Sequence, residues 1–415
     1  MRRRIVEHIK SAVIVLLLCS AAFLAFAANF PQVLRQLEDT LHTSGSTLPP
    51  GVEQGDFAAA AIPVAISLRS ETNRQTISRD FELLESTYEA FAGYLGEALA
   101  TAEPPQRLTG NAFSTLTQQQ GIYFCYAGAI PLDALAQWLQ SEYEDATRTA
   151  SWFFLSVDAQ RTVTLYFGSS SGSYRCATQL VSSALAEQLA SVQSDGSYFA
   201  GETEALRRIS PRTLLLADGS NQAAAASVSS AATAEVCTQI ASLLKFNPYG
   251  DGAYQAPDGT LVYTESLCSL RIAPDGKLSL ANQDPSRYAA SGSSNAELIS
   301  TAYTMLQSLT QLYSSDARLY LTGFYHQDDQ TILHFDYLLD GLVIAQQQGH
   351  GASVTFVDGA VSTVVFWLRT YTRQESELTV LPAPQAAALL EAGSVLQLEY
   401  ADLGGGSLQL GWKKG

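Results

Sequence analysis

Residues 11–30 read SAVIVLLLCSAAFLAFAANF, twenty positions without a single charge. About 20 apolar residues in a helix cross the hydrocarbon core of a bilayer. The preceding ten, MRRRIVEHIK, carry Arg2, Arg3, Arg4 and Lys10 against Glu7, a net +3. Basic residues on that flank keep it cytoplasmic, so the run predicts one membrane helix with the remaining chain outside. Two other readings stay open. AFA at 25–27 is a small-x-small cleavage site that would release a chain beginning at Ala28. Cys19 suggests a lipid anchor, against which stands the bulky Leu18 before it. Ala21, Ala25 and Ala28 share one helix face and permit close approach of a second membrane helix, although alanine-rich runs produce that pattern by chance.

The whole chain of 415 residues has a net charge of −16, which leaves −19 beyond the basic tail. Only five lysines occur, Lys10, Lys245, Lys277, Lys413 and Lys414, so no basic patch is available for nucleic acid. Hydrophobic content of 47% against 15% charged residues describes a folded body rather than a disordered one. Residues 31–56, with TSGSTLPPGVEQGD, read as a linker. A domain over 57–218 follows, then a small-residue linker at 219–232, a middle domain at 233–287 and a C-terminal domain at 288–415.

Within these domains apolar spacing changes from three-and-four to two. Phe81, Leu84, Tyr88, Phe91, Leu95 and Leu99 recur as one helix face, as do Ile299, Ala302, Leu306, Leu309 and Tyr313. Between the helices run alternating strand patterns such as GIYFCYAG, TILHFDYLLDG and VSTVVFWLRTYT. Of the Asp-Gly pairs, those beginning at Asp218, Asp258, Asp275, Asp340 and Asp358 stand beside apolar alternation, which is the strongest short hairpin signal. Ala-Pro-Asp-Gly occurs twice, at 256–259 and 273–276, and reads as two corners of one small sheet. The expected fold class is α+β: a transmembrane helix, then tandem domains of helix packed on antiparallel sheet.

Chemistry is sparse. GSSSG at 168–172 fits G-x-S-x-G with Ser170 as nucleophile, but an extended run follows where a nucleophile elbow needs a helix. His334 and Asp336 share a strand face, with Asp328 and Asp329 in the loop before it. Spacing supplies no further metal ligand, and that face is expected in solvent because Leu333, Phe335 and Tyr337 form the alternate, buried one. Neither a P-loop nor GxGxxG is present, so no cofactor, metal or catalytic residue is assigned. Of the cysteines, Cys125 and Cys176, then Cys237 and Cys268, fall two to a domain. Outside the cytoplasm they could pair domain by domain, whereas their apolar settings favour free, buried thiols.

Three features carry a resemblance. The start is basic with EHIKS and leads into one apolar run; the middle reads LLKFNPYGDGAYQAPDGTLVYTESLCSLRI; the C-terminal part reads LHFDYLLDGLVI and ASVTFVDGAVSTVVFWLRTYT. Together these resemble the YycH and YycI families, and the helix-plus-sheet units are similar to PepSY-type domains. The resemblance covers residues 1–30 and about 230–413. It implies a single-pass plasma-membrane protein, largely extracytoplasmic, that regulates a WalK-type sensor histidine kinase of cell-wall metabolism without catalysing a reaction. Its implied partners are that kinase and a YycI-like sibling. A PepSY-like binding or inhibitor module is the alternative, and a serine hydrolase using Ser170 a third. No contact residue carries over from the family.

Overall fold

The computed structural model describes residues 62–108, 112–143, 145–169, 172–217 and 219–414. The fold is α+β, dominated by antiparallel sheet, with seven α-helices among the described residues. The predicted membrane helix and its Ala21, Ala25 and Ala28 face lie outside those residues. No described helix is long and apolar enough to cross a membrane.

The first lobe is a seven-stranded sheet. Its strands are β1 (Ala65–Arg69), β2 (Arg74–Ser78), β3 (Gln106–Arg107), β4 (Gly121–Pro131), β5 (Thr149–Val157), β6 (Thr162–Ser169) and β7 (Gly172–Val181). They are ordered β2-β1-β4-β5-β6-β7-β3. Helix α1 (Phe81–Ala100) lies across this sheet, capped by Asp80, whose carboxylate accepts from the Leu83 amide. It buries Leu84, Phe91, Leu95 and Leu99, most of the stripe its spacing predicts, while Tyr88 is half-buried. The other helices of this half, α2 (Ala112–Leu116), α3 (Leu132–Trp138) and α4 (Ser183–Ala190), are short, and after them β8 (Tyr198–Phe199) pairs with β9 (Leu214–Leu215).

Residues 219–232 are not a linker. Gln222–Ser230 is strand β10, and its alanines are buried against β20 (Arg369–Thr379). After α5 (Ala234–Leu243) come β11 (Ala253–Gln255), β12 (Leu261–Glu265), β13 (Cys268–Ile272) and β14 (Lys277–Asn282). Helix α6 (Asn295–Thr310) precedes β15 (Arg318–Gln327), β16 (Gln330–Leu339), β17 (Leu342–Gln346), β18 (Ala352–Val357) and β19 (Ala360–Trp367). Helix α7 (Ala383–Leu389) and the hairpin β21 (Leu396–Asp402) and β22 (Gln409–Lys414) complete the chain. One eleven-stranded sheet runs β11-β12-β13-β14-β19-β18-β16-β17-β21-β22, with β15 paired to β16. Because β14 is bonded to β19, the segments 233–287 and 288–415 share a sheet and are not separate domains.

Both Ala-Pro-Asp-Gly segments are hairpin corners of the same build. Gly259 donates to the Ala256 carbonyl and Gly276 to that of Ala273, at 2.9 Å each. Their φ values of 86° and 93° require glycine, and Asp258 and Asp275 accept from the amides two residues on. At Asp340-Gly341 and Asp358-Gly359 both residues have positive φ, the two-residue turn that suits twisted strands.

Among the described residues, three of the contacts between the two lobes fix the junction. Helix α3 packs on α6, where the Asn295 amide donates to both Asp133 oxygens at 3.0 Å. Arg79, at the end of β2, donates to the carbonyls of Gly219 and Gln222. A break in register between Cys125 and Ile130 carries β4 past β15, so close that a Cβ on Gly128 would lie 2.1 Å from the Thr322 carbonyl oxygen.

Candidate functional site

A hollow of about 420 Å³ opens at this junction. The N-terminal turn of α1 forms one wall with Asp80, Phe81 and Glu82; β15 and the β16–β17 turn form the other with Arg318, Tyr320 and Asp340. Arg373 of β20 enters from the rim and pairs with Asp340 at 3.4 Å, while its amide donates to Asp316 at 2.7 Å. Arg318 lies over the Phe81 ring, 3.7 Å from its centre. A second hollow of about 320 Å³, beside the end of α6, shares Phe81, Arg318 and Tyr320 with the first. Together they make a groove with an aromatic floor and mixed charges. Arg79, Arg318 and Arg373 face Asp80, Glu82, Asp316 and Asp340, so acids outnumber cations and the groove is not built for a phosphate.

The histidine cluster departs from expectation. Asp336 is buried, because Thr322 of the neighbouring strand β15 and the His350–Gly351 segment close over its carboxylate. It accepts from Thr322 Oγ1 at 2.7 Å, from His350 Nδ1 at 2.8 Å and from the Gly351 amide at 2.8 Å. Burial alone would raise its pKa; those donors and the His350 charge outweigh burial and lower it. His334 is half-buried and stacked on His350, ring centres 3.9 Å apart, with a buried Nδ1 that makes no hydrogen bond. Burial, and then the neighbouring His350, lower its pKa to about 4. The opposite face is as predicted: Leu333, Phe335 and Tyr337 are in the core, with Phe335 stacked on Tyr303 of α6.

This cluster is a hydrogen-bonded unit around a buried carboxylate that already accepts three hydrogen bonds. Among the described residues no group of three or more His, Cys, Asp or Glu is placed to hold a metal. His350 and Thr322 had no signal in the sequence, since only the fold brings them to Asp336. Asp328 has a left-handed φ of 52° in the β15–β16 turn, away from ligand chemistry of its own. Ser170 falls outside the described residues.

Cys125, Cys176, Cys237 and Cys268 are all free. Pairing Cys125 with Cys176 is precluded by topology, since β5 and β6 lie between β4 and β7. Three strand spacings of about 4.8 Å far exceed the roughly 4.4–6.8 Å Cα separation of a disulfide. Cys237 and Cys268 both reach the core, as their patterns predict, and the Cys268 thiol donates to Asn282 Oδ1 at 2.9 Å. Burial raises the thiol pKa of Cys125, Cys176 and Cys237.

Comparison of the chain with protein-family models, with curated proteins and with solved structures finds no match.

Proposed function

We propose that the chain is a membrane-anchored extracytoplasmic regulator, without catalytic activity of its own, that modulates a WalK-type sensor kinase of cell-wall metabolism. The observation that carries this reading is the charge asymmetry: a +3 tail, twenty uncharged residues, then −19 over everything else. The likeness of the three quoted segments to YycH and YycI supplies the kinase and the sibling protein as partners, and tandem helix-on-sheet lobes are consistent with it. The junction groove is the surface we assign to the kinase's extracytoplasmic segment. An aromatic floor ringed by charges of both signs suits a polypeptide better than a small ion.

The test is recovery of a WalK-like kinase with the full-length chain from membranes in mild detergent. Phe81→Ala with Arg318→Glu is expected to lower recovery about tenfold, the loss of one well-packed contact pair. Absence of the kinase from every preparation of the wild-type chain rules out the regulator reading. A mature N-terminus at Ala28 would instead favour a released binding module.

A further inference from the structure

A third hollow, of about 210 Å³, adjoins the junction groove and shares Val64, Arg79 and Gly341 with it. Strands β1, β2 and β4 supply one side, residues 212–216 a second, and the β21–β22 hairpin a third. Unlike the groove it has largely apolar walls, made by Leu214, Leu216, Leu342, Leu398 and the ring of Trp412. That ring is fixed in place, since the indole N–H donates to the Leu381 carbonyl at 2.7 Å.

Set among these walls are Tyr123, Cys125 and Arg212. Tyr123 and Cys125 stand two residues apart on β4 and so share a face. Strand β4 lies between β1 and β5, yet Cys125 is half-exposed, and the hollow is what exposes it. Burial raises the pKa of the Tyr123 hydroxyl and of the Cys125 thiol, and the nearby Arg212 charge opposes that rise in both. Arg212 is half-buried and, among the described residues, has neither an ion pair nor a side-chain hydrogen bond. Its guanidinium carbon is 5.9 Å from the centre of the Trp152 ring, a contact through the face that leaves the N–H donors in the guanidinium plane open. In a chain with 40 acidic residues against 24 basic ones a half-buried cation should find a carboxylate, but no described lining residue of this hollow is acidic.

Charge, wall and volume together select the ligand class. An unpaired guanidinium beside apolar walls favours an anion, because charge interactions strengthen where water is excluded. Its fork matches a carboxylate through two parallel N–H···O bonds. A phosphomonoester, with a charge of about −1.5 to −2, would leave part of that charge unmatched among apolar side chains. Arg79, the second cation of the lining, is already committed to the carbonyls of Gly219 and Gln222. The walls call for an apolar body behind the head group. An apolar cavity of about 150 Å³ takes a benzene ring, so about 210 Å³ holds one ring or a short alkyl chain together with a carboxylate. We propose that this hollow is a binding site for a small amphipathic carboxylate, with Arg212 as partner of the head group and Leu214, Leu398 and Trp412 around the apolar body. The site is independent of the kinase reading.

The probes are benzoate and hexanoate, each with its amide as the neutral counterpart, added to the full-length chain in a non-ionic detergent. Binding is read by titration calorimetry and by the rate at which methyl methanethiosulfonate modifies Cys125, followed by peptide mass. At least one acid is expected to bind and to slow modification of Cys125 severalfold. It should bind at least about tenfold tighter than its amide, the worth of one charge-assisted hydrogen bond. Arg212→Gln is expected to remove that preference for the acid while the amide binds as before. Silence from both acids overturns the proposal, and so does an amide that binds as well as its acid. Binding that leaves Cys125 as reactive as before puts the ligand elsewhere and also overturns it. Displacement of the acid by an equal concentration of inorganic phosphate would overturn the apolar selection and leave an anion site only.

Discussion

His334 and Asp336 stand two residues apart on one strand, and their environments push them toward opposite charge states. His334 titrates at about 4 in the folded chain against an ordinary 6.5, because burial and the adjacent His350 oppose its protonation. Between those values the unfolded chain carries a proton there that the folded chain refuses. Stability rises with pH wherever the unfolded state binds more protons, so it must fall as pH drops from about 6.5 toward 4. Asp336 acts lower on the scale: its lowered pKa gives a contribution that is full above the ordinary carboxylate value and lost as pH falls through the folded one. Thermal melts between pH 7 and 4 should therefore slope downward, and His334→Gln should flatten that slope while leaving the acid limb. A variant whose slope matches wild type sinks the assignment. The alternation of Leu333, Phe335 and Tyr337 revealed the buried face of this strand. It could not reveal that Thr322, His350 and the Gly351 amide enclose Asp336 on the other face, because that depends on how β15 and the segment before β18 are placed around β16.

At the scale of elements, spacing was a good guide wherever apolar residues are large. Most of the α1 stripe is buried, and of the inward row Leu261, Tyr263, Cys268, Leu270, Ile272, Leu278 and Leu280 all but the half-buried Leu261 are, as period 2 requires; α6 is buried on nearly every side, and Tyr313 lies beyond its end. Strand β10 was missed for a physical reason. Its sequence, QAAAASVSS, has side chains too small to mark an inside and an outside, so packed strand and loose linker look alike. Sheet order likewise decides the cysteines, since two intervening strands separate Cys125 from Cys176. Alkylation in denaturant without reductant should modify Cys125, Cys176, Cys237 and Cys268 alike, and the native protein should protect the last three, which are buried. A Cys125–Cys176 linked peptide in a non-reducing digest would contradict the fold.

For the molecule as a whole, the described residues form one compact unit, even though the sequence divides into repeated phrases of helix followed by strands. The bond between β14 and β19, the seat of α3 on α6 and the parallel pairing of β17 with β21 all join segments far apart in the chain. A fragment of residues 288–415 would expose the β19 edge and the face of α6 that α3 covers. It should fail to fold alone, whereas residues 57–415 should give one cooperative melt. A well-dispersed amide spectrum from the fragment would show that the shared sheet is dispensable. By itself the sequence determined the α+β class, the hairpin corners and the helix faces, because those are local consequences of side-chain period and turn chemistry. It also supplied the charge asymmetry on which the membrane reading rests. Only the tertiary structure decided that the body is undivided, that Asp336 is buried beneath His350, Thr322 and the Gly351 amide, and that a corner at Asp275 lies beside Trp367. Each of these depends on which distant strands become neighbours, and apolar period does not encode that choice.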